Sequence, residues 1–176
     1  MNIIRKAKPK DIDMVARIFE HIIEEEEKCK CTTGWKRGVY PTRNTAVAAL
    51  ENDDLFVMEE DGDIVAAMRL NKEQLPEYKN CQWEYPAVDD QVMVMHTLVV
   101  EPSVTKHGYG RKMVEFYEQH ARENNCPYLR IDTNAINARA RAMYKNFGYK
   151  EIGITSCVFN GLAGVNLVCI EKKLDL

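Results

Sequence analysis

Two different periods of apolar and polar residues along the chain distinguish helices from strands. Apolar residues recur at helical spacing in residues 12–23 and on one face of residues 113–121. Residues 92–100, VMVMHTLVV, form instead an almost uninterrupted apolar and β-branched run that ends before Pro102. Because strands buried on both faces have this composition, we expect residues 92–100 to form the central strand of a sheet.

Turn-forming residues predict two hairpins. LFVM and IVAAMRL flank the turn 60–63, and ITSCVF and VNLVCIEK flank Asn160 and Gly161. Further strands are expected at NIIRKA and YLRID, with helices at residues 42–50 and 137–146, the second stopped by Gly148. Residues 72–91 keep neither period and carry aromatic residues between prolines, so we expect an irregular segment packed over the domain.

Length and composition indicate one globular domain over residues 1–176. The 176 residues are 45% hydrophobic and 29% charged, as in ordinary soluble proteins. The net charge of -3 offers no broad attraction for nucleic acid, so a nucleic-acid partner is not expected. MNIIRKAKPKDID lacks a signal-peptide pattern, and no run reaches the roughly 18 apolar residues of a membrane span. We therefore expect a cytoplasmic protein with no membrane contact.

The six cysteines are scattered, and several lie in apolar stretches where a reduced cysteine acts as a small hydrophobic residue. They are expected to be free thiols. Cys29 and Cys31 suggest a metal when His21 is added, but no second cysteine pair has ligand spacing. No metal site is therefore expected.

The loop after residues 92–100 has the features of an anion site. It ends in Gly108, Tyr109 and Gly110, and a helix follows. Free amides at a helix start, approached closely past glycines, bind phosphate or pyrophosphate. A helix start also favours acidic residues, yet this one is surrounded by cations: Lys106, His107, Arg111 and Lys112. A phosphorylated cofactor is therefore expected, the alternative being an ordinary strand-to-helix turn whose cations are solvated.

Motifs for other phosphate-binding and hydrolytic proteins are missing. GXXXXGK followed by Ser or Thr does not occur, and residues 108–110 lack the third glycine of a dinucleotide fingerprint. The only serines, Ser103 and Ser156, do not lie in GXSXG, so a serine hydrolase has no obvious nucleophile. Transfer from a bound cofactor remains open.

Two segments, LVVEPSVTKHGYGRKMVEF and RIDTNAINARARAMYKNFGY, resemble the GNAT superfamily of acetyl-CoA-dependent N-acetyltransferases. In that family a strand ends in Val-X-Pro. The loop that follows has the pattern (Gln/Arg)-X-X-Gly-X-(Gly/Ala). Residues 100–102 and 108–110 match this pattern, whereas Thr105 stands at the Gln/Arg position. Asn137 and the string YKNFGY, which begins at Tyr144, resemble the family's cofactor-binding asparagine and its tyrosine-containing helix.

The resemblance implies an α/β (α+β) fold with a mixed, mostly antiparallel central sheet of about six or seven strands flanked by about four helices. It also implies acetyl-CoA as cofactor, with the pantetheine arm bound like an added strand and the pyrophosphate on the loop amides. Helical spacing independently puts Asn137, Ala140 and Tyr144 on one face. The implied cofactor-binding residues are Leu98, Val99, Val100, Lys106, His107, Gly108, Tyr109, Gly110, Arg111, Asn137 and Tyr144.

The implied reaction is direct attack of a neutral amine on the thioester, with a backbone N–H near Leu98 or Val99 stabilising the oxyanion. Tyr144 would donate a proton to the departing thiolate, because the pKa of a phenol, about 10, exceeds that of a thiol, about 8.5. His96, the one histidine on the predicted central strand, is the candidate base, and Glu84 is a weaker rival. The alternatives are a helix cap for Asn137, a core aromatic for Tyr144 and a buried, hydrogen-bonded histidine for His96.

Aromatic residues of two irregular segments, the turn-rich residues 29–41 and residues 72–91, are the candidates for holding the acceptor: Trp35, Tyr40, Tyr78 and Trp83. Aromatic walls suit an aliphatic amine, although loop anchors or the surface of a homodimer are equally open. The predicted function is acetyl transfer from acetyl-CoA to a primary amine of a small-molecule or amino-acid-like acceptor. A non-catalytic acyl-CoA-binding module and a protein or peptide N-acetyltransferase are the alternatives.

Overall fold

The structure is a computed structural model that describes residues 2–28, 32–104 and 107–175. Four residues that the sequence singled out lie outside these ranges: Cys29, Cys31, Thr105 and Lys106. The described residues form seven strands and four α-helices: β1 (Asn2–Lys6), α1 (Ile12–Glu27), α2 (Arg43–Glu51), β2 (Leu55–Glu60), β3 (Asp63–Asn71), β4 (Val92–Val100), α3 (Tyr109–Glu123), β5 (Tyr128–Asn134), α4 (Ala138–Asn146), β6 (Lys150–Phe159) and β7 (Leu162–Lys173).

The strands form one sheet in the order β1-β2-β3-β4-β5-β7-β6. All neighbouring strands are antiparallel except β4 and β5, which run parallel. The prediction of a mixed, mostly antiparallel sheet of six or seven strands with four helices is confirmed, and β4 lies in its middle as expected.

β4 and β5 separate halfway along their length. They pair only from Val92 opposite Tyr128 to Met95 opposite Ile131. Beyond that point β5 goes on pairing with β7, while no described strand pairs with the facing edge of β4. The sheet therefore opens into a wedge at the carboxyl ends of these two strands.

A bulge in β4 accompanies the wedge. Arg69 of β3 lies opposite His96, but Ala67 lies opposite Val99, so β4 carries one extra residue between these pairs. Thr97, within that stretch, has a φ of 51°. This left-handed value is uncommon for a β-branched residue, and bulges bend the strand that contains them. The bulge thus turns β4 away from β5 where the wedge begins.

Successive side chains of a strand point to opposite faces of the sheet, and helices cover both faces. Met93 and Met95 of β4 pack in one core cluster with Met113 and Tyr117 of α3. Val99 packs in another with residues of α1 and α2. β4 is accordingly buried on both faces, which explains its continuous apolar sequence.

Local signals account for the bounds of several elements. The hydroxyl-bearing residues Thr42 and Thr45 form a reciprocal capping box at the start of α2. The β6–β7 turn places Asn160 and Gly161 at φ values of 50° and 79°. Two consecutive left-handed residues of this kind form the tight turn that Asn-Gly sequences favour, so the predicted hairpin is confirmed.

The irregular segment 72–91 contains two 3₁₀ turns, Pro76–Asn80 and Asp89–Gln91. Its aromatic residues Tyr78 and Trp83 pack with Val92, Val94 and Cys169 over the middle of the sheet. The guanidinium of Arg130 also lies 4.1 Å from the centre of the Trp83 ring. None of the helices in the described ranges has the length and apolar composition needed to cross a membrane.

Candidate active site

Two cavities meet at the wedge between β4 and β5. The first, here called the seam cavity, has a volume of about 150 Å³ and is lined mainly by β4, β5 and α4. The second, the side cavity, measures about 330 Å³ and lies towards α2, with Thr45, Asn52 and Arg69 among its lining residues. Four residues line both cavities and so mark their junction: Tyr40, Thr97, Asp132 and Phe159.

The open edge of β4 forms one wall of the seam cavity. Leu98, Val99 and Val100 all line it. Since no described strand pairs with this edge, its backbone groups can accept an extended ligand as an added strand. The edge therefore fits the pantetheine arm of a CoA compound, as the resemblance implies.

The start of α3 supplies free amides next to that edge. Gly108 is the N-cap with a φ of 74°, and the amide of Lys112 is bonded to the Gly108 carbonyl at 3.1 Å. The preceding amides, from Tyr109 to Arg111, belong to the first turn and have no carbonyl of the helix to bind. This turn holds no acidic residue. Amides and helix dipole together fit a pyrophosphate.

The side chains around this turn differ in their orientation. The guanidinium of Arg111 lies 5.1 Å from the centre of the Phe147 ring, and its residue is exposed. Tyr109 is buried and donates its hydroxyl proton to Glu60, so it offers a ligand only its backbone. The His107 ring stacks on Tyr109 at 5.4 Å between ring centres. Lys106 lies outside the described residues.

Helix α4 forms the opposite wall. Asn137, Ala140 and Tyr144 all line the seam cavity, as their spacing predicts. Asn137 is also the helix cap, since its Oδ1 accepts from the Ala140 amide at 3.2 Å. The Asn137 side chain therefore keeps its Nδ2 protons for a ligand. Burial, and secondly the charge of Asp132, raise the pKa of Tyr144 well above its ordinary value, so the phenol keeps its proton at neutral pH.

His96 lines the side cavity and is held by Asn71. Asn71 donates from Nδ2 to Asp54 at 2.7 Å, so its Oδ1 is the acceptor that meets His96 Nε2 at 2.9 Å. Nε2 must then carry the proton. Burial, with a smaller effect of Arg69, lowers the pKa of His96 to about 3. The imidazole is therefore a weak base, and this geometry is that of the buried, hydrogen-bonded alternative.

Two of the four predicted aromatic residues line the seam cavity. Trp35 and Tyr40 meet edge to face, with ring centres 5.9 Å apart. The Tyr40 hydroxyl is hydrogen-bonded to the hydroxyl of Thr97. Burial raises the pKa of Tyr40 to about 12, so its phenol stays protonated.

The structure does not bring Tyr78 and Trp83 into either cavity. Tyr78 is only 2% exposed, and its hydroxyl donates to Asp132 Oδ2 at 2.7 Å. Trp83 donates from its indole nitrogen to the Tyr78 carbonyl at 3.1 Å. Both rings thus anchor the segment 72–91, the alternative that the sequence left open. Glu84 is also outside both cavities and forms an ion pair with Lys150.

Asp132 is a residue of this site that sequence reasoning missed. Among the described residues it is the one carboxylate that lines either cavity. Burial, opposed by the hydrogen bond from Tyr78, raises the pKa of Asp132 to about 6. The sequence offered no local signal for this residue, because β5 also carries the polar residues Arg130, Thr133 and Asn134.

Comparison with known proteins agrees with this architecture. Residues 18–149 match the profile of the Acetyltransferase (GNAT) family. An uncharacterized N-acetyltransferase of Bacillus subtilis strain 168, YhfO, is 23% identical over 150 residues, which cover 84% of this chain and 89% of that protein.

Solved structures share the fold across almost the whole chain. A GNAT-family acetyltransferase from Streptococcus agalactiae 2603 superimposes with a TM-score of 0.78 at 20% identity, covering 99% of this chain and 96% of that one. A putative acetyltransferase from Salmonella typhimurium, YncA, solved with acetyl-CoA, gives a TM-score of 0.72 at 15% identity, covering 100% and 95%. With more than half of its residues matched by the family profile, this chain belongs to the GNAT acetyltransferase family.

Proposed function

We propose that this protein transfers the acetyl group of acetyl-CoA to a primary amine of a small-molecule or amino-acid-like acceptor. The observation that carries the proposal is the meeting of two cavities at one point of the sheet. The seam cavity has the open strand edge and helix start that suit a CoA compound. The side cavity reaches the same junction from the direction of α2 and leaves room for a second substrate.

Backbone groups carry most of the proposed cofactor binding. Residues 98–100 would bind the pantetheine arm, and amides of residues 108–111 would bind the pyrophosphate, with His107 and Arg111 beside it. Asn137 would contribute its free Nδ2 protons. Bound acetyl-CoA supplies an activated acetyl thioester to the junction. Binding by backbone explains why Thr105 in place of Gln or Arg is compatible with the proposal.

Two groups that line the seam cavity suit the electronic demands of acetyl transfer. The bulge at Thr97 turns the backbone of β4, which favours an N–H of Leu98 or Val99 as the donor to the developing oxyanion. Tyr144 keeps its proton at neutral pH and lines the seam cavity, so it suits the role of proton donor to the departing thiolate.

The shape of the side cavity favours a compact acceptor. Its volume of about 330 Å³ lies at the low end of the range of about 300–1,000 Å³ that holds small ligands. Phe159 and Asn160 line it at the end of β6 and the turn that follows, and Tyr40 and Leu75 line it from two loops. A small amine fits this space better than the end of a folded protein.

Thiol release tests the proposal. The purified protein would be given acetyl-CoA with a panel of small primary amines, including amino acids, and with short peptides whose N-termini are free. Release of thiol together with an acetylated small amine, identified by mass spectrometry, is the expected result. Turnover of peptides alone would identify a peptide N-acetyltransferase instead. Thermal stabilisation by acetyl-CoA without thiol release in any mixture would identify a non-catalytic binding module.

A further inference from the structure

A carboxylate, that of Asp132, lines the junction of the two cavities, where the acceptor and the acetyl group would meet. Asp132 follows Ile131, the last residue of β5 that pairs with β4, so the wedge opens at its position. It lines the seam cavity together with Tyr144 and the side cavity together with His96. A group in this place can reach an amine in one cavity and a thioester in the other.

One oxygen of this carboxylate is fixed and the other is available. The Tyr78 hydroxyl donates to Oδ2 at 2.7 Å from a ring that is 2% exposed. Trp83 holds the backbone of Tyr78 through its own hydrogen bond at 3.1 Å, which keeps the phenol in place. Oδ1 is the oxygen left to accept a proton from a ligand. The orientation of a base by a third group is a recurring feature of acid–base catalysis.

We propose that Asp132 is the general base that takes the proton from the acceptor amine, and that Tyr78 is a positioning residue that holds Asp132. This inference rests on the proposed acetyltransferase function. It assigns to the irregular segment 72–91 a part in catalysis that does not require contact with the substrate.

The proposed step balances as follows. The lone pair of the amine nitrogen forms the new N–C bond, and Asp132 Oδ1 takes the proton that this nitrogen loses. The C–S bond breaks with its electron pair on sulfur, and Tyr144 gives its hydroxyl proton to that sulfur. Asp132 is then protonated and Tyr144 ionised, and proton exchange through solvent restores both. No redox partner is needed.

Electrostatics agree with the geometry. Burial raises the pKa of Asp132 to about 6, Tyr78 opposes this rise and Glu77 adds to it. A carboxylate with this pKa is ionised at neutral pH and is a stronger base than an ordinary aspartate. The other titratable or charged groups that line its cavities or interact with it are Tyr40, Arg69, His96, Tyr144, Cys157 and Cys169.

Three variants test the inference: Asp132→Asn, Tyr78→Phe and the control Asp90→Asn, whose side chain is 95% exposed. Asp132→Asn keeps an oxygen that accepts from Tyr78 but removes the base, so kcat should fall by about 10²–10⁴-fold. Its thermal stabilisation by acetyl-CoA should match that of the unmodified protein. The control should change neither quantity. Retention of more than a third of kcat in Asp132→Asn would overturn the assignment.

The pH dependence separates positioning from a purely structural role. For the unmodified protein, kcat should rise with pH through about 6 and then level off, because the base must be ionised. Tyr78→Phe removes the hydrogen bond that lowers the pKa of Asp132, so the rise should move to higher pH with much of the plateau retained. Carbon-13 NMR of the aspartate carboxyls should show the same shift in the ligand-free protein. An unmoved titration in Tyr78→Phe contradicts the role of Tyr78.

These outcomes distinguish the two proposals. If the unmodified protein releases no thiol with any amine, the proposed function fails and the base assignment fails with it. If the unmodified protein is active and Asp132→Asn is equally active, the acetyltransferase proposal stands and only the assignment of Asp132 is lost.

Discussion

Glu26, near the end of α1, holds the loop that leads to the seam cavity. Its buried carboxylate accepts four hydrogen bonds: Oε1 from the Thr32 amide at 2.7 Å, the Thr32 hydroxyl at 2.6 Å and the Thr33 amide at 2.8 Å, and Oε2 from the Gly34 amide at 3.1 Å. The Thr33 carbonyl in turn accepts from Asn134 of β5 at 3.1 Å. Trp35 follows directly and lines the cavity.

Replacing Glu26 with Gln removes the charge and one acceptor. The Gln oxygen can keep the three bonds to Thr32 and Thr33, but its NH₂ group cannot accept from Gly34. Hydrogen bonds to charged groups contribute about 1.5–3 kcal/mol and neutral ones about 1 kcal/mol. Thr32 is exposed, so water compensates part of the loss there. We expect the free energy of unfolding to fall by about 2 kcal/mol.

Urea unfolding at pH 7 measures this loss, and Glu27→Gln is the matched control. Glu27 is the next residue, its side chain is 53% exposed, and it pairs with Arg37, which is also about half exposed, so the control should destabilise the protein much less than Glu26→Gln does. Equal unfolding free energies for Glu26→Gln and Glu27→Gln would refute the role of Glu26 in holding the loop.

The pH dependence provides a second test. Burial raises the pKa of Glu26, but the hydrogen bonds from Thr32, Thr33 and Gly34 outweigh it, and the net pKa is lowered. A group with a lowered folded-state pKa stabilises the protein above its unfolded pKa, about 4.3, and loses that contribution as the pH falls through the folded value. The difference between Glu26→Gln and the unmodified protein should therefore shrink below about pH 4. A difference that persists undiminished at pH 3 would contradict this explanation.

Two further predictions concern Tyr144, which lines the seam cavity, and Gly110 in the first turn of α3. Tyr144→Phe should lower kcat about 100-fold while leaving acetyl-CoA affinity within about twofold, because the phenol acts on the leaving group; calorimetry that shows a parallel loss of affinity would argue against that role. In Gly110→Ala, the added Cβ would lie 3.4 Å from Met143 Sδ and 3.8 Å from Val100 Cγ2. The melting temperature of the ligand-free variant should equal or exceed that of the unmodified protein, since alanine favours the helix. Its affinity for acetyl-CoA should fall. Unchanged affinity would contradict the placement of the cofactor beside Gly110.

The elements with strong local signals could be predicted from the sequence. The run VMVMHTLVV forms β4 with the expected bounds, because a short apolar run that is rich in β-branched residues and followed by a proline favours a buried strand. The turn at Asn160 and Gly161 also has its expected place, since few residues adopt two successive left-handed conformations. The helical repeat alone predicts that Asn137 and Tyr144 lie on the same face of α4, and both line the seam cavity.

Features that depend on tertiary contacts could not be predicted. The bulge at Thr97 has no glycine or proline to mark it, and it is visible only in how β4 pairs with β3 and separates from β5. Tyr78 was expected in the acceptor cleft, but an aromatic residue in an irregular segment can face either way, and here it is buried against Asp132. Asp132 itself was overlooked because nothing local distinguishes an acid in a cavity from one at the surface.

Thermal melting with acetyl-CoA, CoA, ATP and NAD in parallel tests the central claim most directly. A ligand at 100 times its dissociation constant stabilises the folded state by about 2.7 kcal/mol, enough to raise the melting temperature by several degrees. Stabilisation by acetyl-CoA and CoA alone, reduced in Gly110→Ala, is the result that this account predicts. Stabilisation by ATP or NAD, or by none of the four compounds, would contradict it.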